Sequence, residues 1–123
     1  MKKVLALVAV FAFTAAFAQD FIMGINFDAG GKFDKSFNEG TFNGFTRAIE
    51  AQKADGLDIE AKEFEGTPET FGQGLRQMAE DGADLIVAPG FSQVDAIRQI
   101  AAEFPDTNFV SLDGFSEAPG ANE

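Results

Sequence analysis

The sequence predicts an α/β fold, a parallel sheet with flanking helices in the order βαβαβαβ. Four short apolar runs alternate with three longer segments that have helical periodicity. Turn residues, mainly Gly, Pro, Asp and Asn, separate these segments. Parallel strands need connections long enough to hold a helix, so this alternation is typical of βαβ units.

The first residues have the organisation of a secretory signal peptide. Two lysines precede an unbroken apolar run at residues 4–13, and Ala16 and Ala18 then form an A-x-A cleavage site. We expect residues 1–18 to be a signal peptide cleaved after Ala18 and residues 19–123 to form the mature, periplasmic domain. No Cys follows the site, so we expect no lipid anchor there.

The first strand is predicted at residues 20–27, followed by a glycine-bearing turn at residues 28–34. Ser36 and Glu39 then have the spacing of a capping box, in which each side chain accepts from the other residue's N–H. The helix that starts there is predicted to end at Gly56.

One stripe of that helix is predicted to face the core. Its members are Phe37, Thr41, Phe45, Ala48 and Ile49. Gly40 and Gly44 weaken the helix by about 1 kcal/mol each relative to Ala. They indicate either the close approach of a neighbouring element or tolerated surface positions.

The remaining elements follow from similar signals. Strands are predicted at residues 57–64, 84–88 and 107–112. The helix between the first two is opened by Thr67 and Pro68 and ended by Gly82. The helix between the last two is capped by Ser92 and ended by Pro105.

Open α/β sheets bind ligands outside the carboxyl ends of their strands. Asp28 and Asp113 follow the first and fourth predicted strands, and Gly90 and Phe91 follow the third. A carboxylate accepts two adjacent hydroxyl donors, so these acids fit a sugar or ribose, although acids that merely cap loops are the alternative. Phe37, in the first helical turn, is either a core residue or a platform for a flat ring.

Composition excludes several classes of function. The 123 residues contain no His and no Cys, which removes Ser-His-Asp and Cys-His nucleophiles and the usual zinc and haem ligands. The formal charge of −11 becomes −13 without the two N-terminal lysines, with 7 Lys and Arg against 20 Asp and Glu. This acidity argues against a nucleic-acid partner. No dinucleotide-binding or calcium-loop spacing is present, so we expect no cofactor, no metal and no enzymatic activity.

The segment from Asp28 to Asn38, with its Asp-Lys-Ser-Phe-Asn motif, resembles the start of the basic membrane protein (BMP) family of ABC transporter substrate-binding proteins. The resemblance continues through Gly44, residues 84–91 and residues 109–114. It implies part of lobe 1 of a type I periplasmic-binding-protein fold, with residues 19–123 as an incomplete N-terminal lobe. It also implies a purine-nucleoside-like ligand in an interlobe cleft and an ABC permease of the inner membrane as partner.

The resemblance also implies roles for individual residues. Phe37 corresponds to the residue that stacks on the purine, Asp28 lies in the cleft, and Asp113 holds ribose hydroxyls. Asn38, Gly90 and Phe91 line the same cleft.

Two other classes of function remain open at this point. One is a small exported α/β module for signalling or protein interaction, complete at this length. The other is a hydrolase or glycosidase that uses Asp28 and Asp113, for which the missing His and Cys leave the least support.

Overall fold

The computed structural model describes residues 21–115, which form a parallel sheet with helices on both faces. The elements are β1 (Phe21–Phe27), α1 (Phe37–Ala54), β2 (Ile59–Glu65), α2 (Phe71–Glu80), β3 (Leu85–Pro89), a 3₁₀ turn (Phe91–Gln93), α3 (Val94–Ala101) and β4 (Asn108–Leu112). The predicted α/β class and the order of elements are confirmed. The predicted signal peptide, residues 1–18, lies outside the described residues.

The strand order places β1 inside the sheet. The order is β2-β1-β3-β4, and every pair is parallel. From β1 the chain moves first to one side, to β2, and then to the other side, to β3 and β4. The direction of winding therefore reverses between the carboxyl ends of β1 and β3, where α/β sheets leave a crevice.

Each face of the sheet has its own apolar core. On one face, Ile25 and Phe27 of β1 pack with Phe45 and Ile49 of α1. The other face is covered by α2 and α3, whose core cluster contains Leu75, Met78, Ala79, Ala83, Ile86, Ala88, Ile100 and Phe109. In the described part of the chain, no helix combines the length and apolar character needed to cross a bilayer.

The start of α1 differs from the prediction. Ser36 precedes the helix, but its side chain makes no capping hydrogen bond. The Asp34 carboxylate accepts instead from the N–H groups of Ser36 (2.8 Å), Glu39 (3.2 Å) and Asn38 (3.2 Å). The Glu39 carboxylate accepts from the Lys35 N–H. The predicted capping box is wrong, because two carboxylate oxygens upstream serve three N–H groups that one hydroxyl cannot satisfy.

The inward face of α1 is also rotated relative to the predicted stripe. Phe45 and Ile49 are buried as predicted, whereas Phe37 and Ala48 are exposed. Asn38 lies inward in place of Phe37 and is fully buried. The start of the predicted stripe is wrong. Hydrophobicity alone does not show that the Asn38 amide is buried in order to hydrogen-bond the backbone of Asp28.

Gly40 and Gly44 lie in open space on α1. A methyl group added at either position would meet no heavy atom within 4 Å. They are tolerated surface glycines, and the alternative of close approach to a neighbouring element is wrong.

Helix α2 begins at Phe71, three residues after Pro68, which was predicted to open it. The intervening residues form a turn in which Thr70 donates its N–H to the Thr67 carbonyl (2.8 Å) and accepts the Thr67 N–H on Oγ1 (2.8 Å). The Thr67 hydroxyl donates to Glu69 (2.6 Å) and so does not cap the helix. The predicted start at Thr67 and Pro68 is therefore wrong.

The Asp34 cap gives a pH-dependent prediction for the variant Asp34→Asn. Partial burial raises the pKa of Asp34, but hydrogen bonds from the N–H groups of Glu39, Ser36 and Asn38 outweigh it and hold the pKa below the ordinary 3.8. A depressed pKa contributes stability that is present above pH 3.8 and is lost as the pH falls through the lowered pKa. We expect Asp34→Asn to lower the melting temperature at pH 7, with the difference from wild type shrinking towards pH 2.5.

Glu50→Gln is the matched control, because Glu50 is exposed on α1 and its substitution removes the same charge without touching the cap. This variant should melt close to the wild type across the pH range. If the difference in melting temperature between the wild type and Asp34→Asn stayed constant from pH 7 to pH 2.5, the role of the ionised cap would be contradicted.

Candidate functional site

The candidate site lies where the carboxyl ends of β1 and β3 meet. Asp28 directly follows β1, and the 3₁₀ turn Phe91–Gln93 follows β3 after Gly90. The two strands are hydrogen-bonded neighbours, so these segments lie side by side. This is the point at which the winding of the sheet reverses.

The turn after β1 is held by the side chain of Asn38. Its Oδ1 accepts the Asp28 N–H (2.9 Å), and its Nδ2 donates to the Asp28 carbonyl (3.0 Å) and more weakly to the Ala29 carbonyl (3.5 Å). Asn38 is 0 % exposed. Its amide thus satisfies the backbone of the turn from inside, and it presents no surface of its own.

The Asp28 carboxylate is joined to the turn after β3. Oδ1 accepts from the Ser92 hydroxyl (2.5 Å) and from the Ala29 N–H (2.7 Å). Ser92 was predicted to cap a helix, but α3 begins at Val94 and no side chain caps it. That prediction is wrong, since the hydroxyl bonds to a residue 64 positions away. Such a contact leaves no local signal in the sequence.

Gly90 brings this turn close to Asp28. Its φ is +93°, in the region that side chains disfavour. A Cβ at this position would overlap the Asp28 carboxylate, most closely at Oδ2. The Gly90 N–H donates to the Leu112 carbonyl (2.9 Å), so the same turn is also fixed to the end of β4, just before Asp113.

Asp113 lies on the far side of this turn from Asp28. β3 separates β1 from β4, so two strand spacings, about 10 Å, lie between the strand ends that carry the two acids. The fold places them at one edge but not in contact. Asp113 has a left-handed backbone with φ +64°, and its carboxylate bonds to no other described residue.

Exposed aromatic rings accompany these acids. Phe37, the first residue of α1, is 54 % exposed, and Phe91, in the 3₁₀ turn, is 73 % exposed. The alternative that Phe37 is a core residue is therefore wrong. Among the described residues, the exposed large apolar side chains are Phe33, Phe37, Leu57, Phe91, Leu112 and Phe115. All but Leu57 belong to the loops, strand ends and first helical turn at the carboxyl edge.

Two further observations concern where a metal or a ligand could bind. Within residues 21–115, no cluster of three or more metal-ligating side chains is present. A groove of about 310 Å³ lies at the opposite edge of the sheet, where Asp84 and Thr107 precede β3 and β4. It shares no residue with the candidate site.

The sheet thus carries its acids and exposed rings at the carboxyl edge, where open α/β sheets bind their ligands. The family model for Bmp, described as ABC transporter substrate-binding protein PnrA-like, matches residues 22–122. The chain therefore belongs to the Bmp family, and the resemblance seen in the sequence is confirmed. This is a family of solute-binding proteins and not of enzymes.

Individual relatives agree with this assignment. The chain is 32% identical over 105 residues to an uncharacterized lipoprotein of Pyrococcus furiosus, covering 82% of this chain and 25% of that protein. An ABC transporter solute-binding protein from Conexibacter woesei is 31% identical with a TM-score of 0.53, covering 72% of this chain and 28% of that one. A solute-binding protein of the same kind from Aeropyrum pernix is 24% identical with a TM-score of 0.67, covering 80% and 26%, and it shows the fold. The chain thus spans about a quarter of the length of these three relatives.

The role of Gly90 is tested by the variant Gly90→Ala. The new Cβ meets both an unfavourable φ and the Asp28 carboxylate. We expect the free energy of unfolding to fall by more than about 1 kcal/mol, measured by urea denaturation.

Gly44→Ala is the control for Gly90→Ala, because Gly44 lies in an exposed helix with open space around it. The same change there should raise the free energy of unfolding, by up to about 1 kcal/mol. Equal effects at the two positions would show that the contact with Asp28 has no consequence.

Proposed function

We propose that residues 19–123 form the incomplete N-terminal lobe of an exported substrate-binding protein, which delivers a purine-nucleoside-like ligand to an ABC permease. The observation that carries the proposal is the exposed ring of Phe37 beside the Asp28 turn, at the reversal point of the sheet. An aromatic ring in that position is suited to stack on a flat base.

The start of α1 favours a ligand without a phosphate group. A helix N-terminus ordinarily attracts anions through its free N–H groups. Here the Asp34 carboxylate already accepts from three of them, at Ser36, Asn38 and Glu39. A nucleoside fits this edge better than a nucleotide, because a phosphate would meet a fixed negative charge.

The two acids offer acceptors at different places. Asp28 keeps one oxygen, Oδ2, without a hydrogen bond to another described residue, because Oδ1 accepts from Ser92 and Ala29. Neither carboxylate oxygen of Asp113 has a hydrogen bond to another described residue. Asp113 is therefore better suited to a pair of adjacent hydroxyls, and Asp28 to a single donor of the ligand.

A cleft between two lobes explains why this edge is open. Ligand sites of this kind bury most of the ligand surface, whereas the described residues offer one wall. The relatives are about four times longer than their match to this chain, so a second lobe in the complete protein would provide the other wall. In this proposal residues 1–18 direct export to the periplasm, and the closed lobes dock on the permease.

A titration of the ¹⁵N-labelled chain with guanosine tests the proposal. We expect weak binding, with amide shifts concentrated at residues 28–38, 90–92 and 113. Phe37→Ala should weaken binding at least about fivefold, because stacking of a base on an aromatic ring contributes roughly 1–3 kcal/mol.

Leu57→Ala is the control. Leu57 is also a large, exposed apolar residue (42 % exposed), but it precedes β2 and so lies at the opposite edge of the sheet from Asp28. It should leave the affinity within about twofold of wild type. Shifts confined to the groove around Asp84 and Thr107, or equal losses in the two variants, would count against the proposal.

A further inference from the structure

Ser92 forms a hydrogen bond that joins the two turns of the candidate site. It is an exposed residue, yet its hydroxyl donates to Asp28 Oδ1 at 2.5 Å and so joins the turn after β3 to the end of β1. Hydrogen bonds to an ionised acceptor are shorter and stronger than neutral ones. This bond therefore restricts where the carboxylate points.

A buried side-chain amide fixes the position of Ser92. Gln93, the next residue, donates from Nε2 to the carbonyls of Asn26 (2.8 Å) and Pro89 (2.7 Å). Its Oε1 accepts from Asn26 Nδ2 (2.6 Å). Both amide side chains are 0 % exposed. The turn that carries Ser92 is thus attached to β1 and β3 by bonds that solvent does not replace.

The same pair of residues extends to α2. Asn26 Nδ2 also donates to the Phe71 carbonyl at the start of that helix (3.2 Å). Asn26 Oδ1 is buried without a partner among the described residues, a state that is unfavourable for folding. The other polar atoms of the Asn26–Gln93 pair are hydrogen-bonded, and these bonds attach the Ser92 turn to β1, β3 and α2.

The carboxylate of Asp28 is therefore constrained at both oxygens. Oδ1 accepts from Ser92 and from the Ala29 N–H, and Oδ2 lies over Gly90, where no side chain fits. A ligand approaching this edge meets Oδ2 in a preset direction. Ordering the acceptor before binding removes an entropy cost from the binding step.

We propose that Ser92 is a positioning residue of this site: it fixes the Asp28 carboxylate through Oδ1, held by the Asn26–Gln93 pair, so that Oδ2 accepts a single hydroxyl or N–H donor of the ligand. The effect on affinity rests on the proposed function, while the effect on the Asp28 side chain does not. Ser92 acts through Asp28 and needs no contact with the ligand.

The first experiment uses no ligand and measures the χ1 rotamer of Asp28 by three-bond NMR couplings. Wild type and Ser92→Thr, which keeps the hydroxyl, should show one rotamer, and Ser92→Ala should show averaged couplings in a folded protein. Ser36→Ala is the control, because the Ser36 hydroxyl caps nothing, and it should leave Asp28 unchanged. A single Asp28 rotamer in Ser92→Ala would overturn the proposal.

The second experiment is a double-mutant cycle with guanosine. Ser92→Ala should weaken binding about tenfold and Ser92→Thr should restore it, whereas Ser92→Ala added to Asp28→Ala should have no further effect. Additive losses would show that Ser92 acts independently of Asp28 and would refute positioning. If no variant, including the wild type, binds guanosine, the ligand assignment fails and the rotamer result alone decides the role of Ser92.

Discussion

The carboxyl edge of this sheet depends on one buried amide, that of Asn38. The amide pairs with both the N–H and the carbonyl of Asp28, so the chain leaves β1 in one defined direction. Successive residues of an α-helix point about 100° apart. Because Asn38 faces the turn, Phe37 is turned outward and its ring is left exposed. The hydrogen bonds of Asn38 thus determine the positions of both Asp28 and the Phe37 ring.

A second buried amide, that of Gln93, has the corresponding role for the turn after β3. It binds the carbonyls at the ends of β1 and β3, and the adjacent Ser92 reaches Asp28. Apolar packing on the two faces stabilises the sheet, but it does not specify how loops leave its edge. The side-chain amides of Asn38 and Gln93, each with partners for both its oxygen and its nitrogen, provide that specificity. The exposed site residues therefore lie on loops and at the start of α1, while the amides that anchor them lie inside the fold.

The sequence allowed the fold and the positions of two acids at the carboxyl edge to be predicted, and the physical reasons for success and failure differ. The order of elements follows from apolar periodicity, and Asp28 and Asp113 follow from the rule that parallel strands end at one edge. Predictions based on short-range spacing failed where a competing group was present. Asp34 displaced Ser36 as the cap of α1, and the carboxylate of Glu69 engaged the Thr67 hydroxyl.

Contacts between distant residues could not be predicted from the residue pattern. Ser92 and Asp28 are 64 positions apart, and Gln93 and Asn26 are 67 apart. Both pairs meet only because β3 lies beside β1. A single sequence records the residue types of such pairs but not their partners, so Ser92 resembles a helix cap when the local sequence is considered alone.

The most direct test of this account is a crystal structure of the chain grown with guanosine. We predict that the base lies against the Phe37 ring and that Asp28 Oδ2 accepts a hydrogen bond from the nucleoside, with Asn38 still bound to the Asp28 backbone. A nucleoside bound in the groove beside Asp84 and Thr107, with the Phe37 ring uncovered, would contradict it.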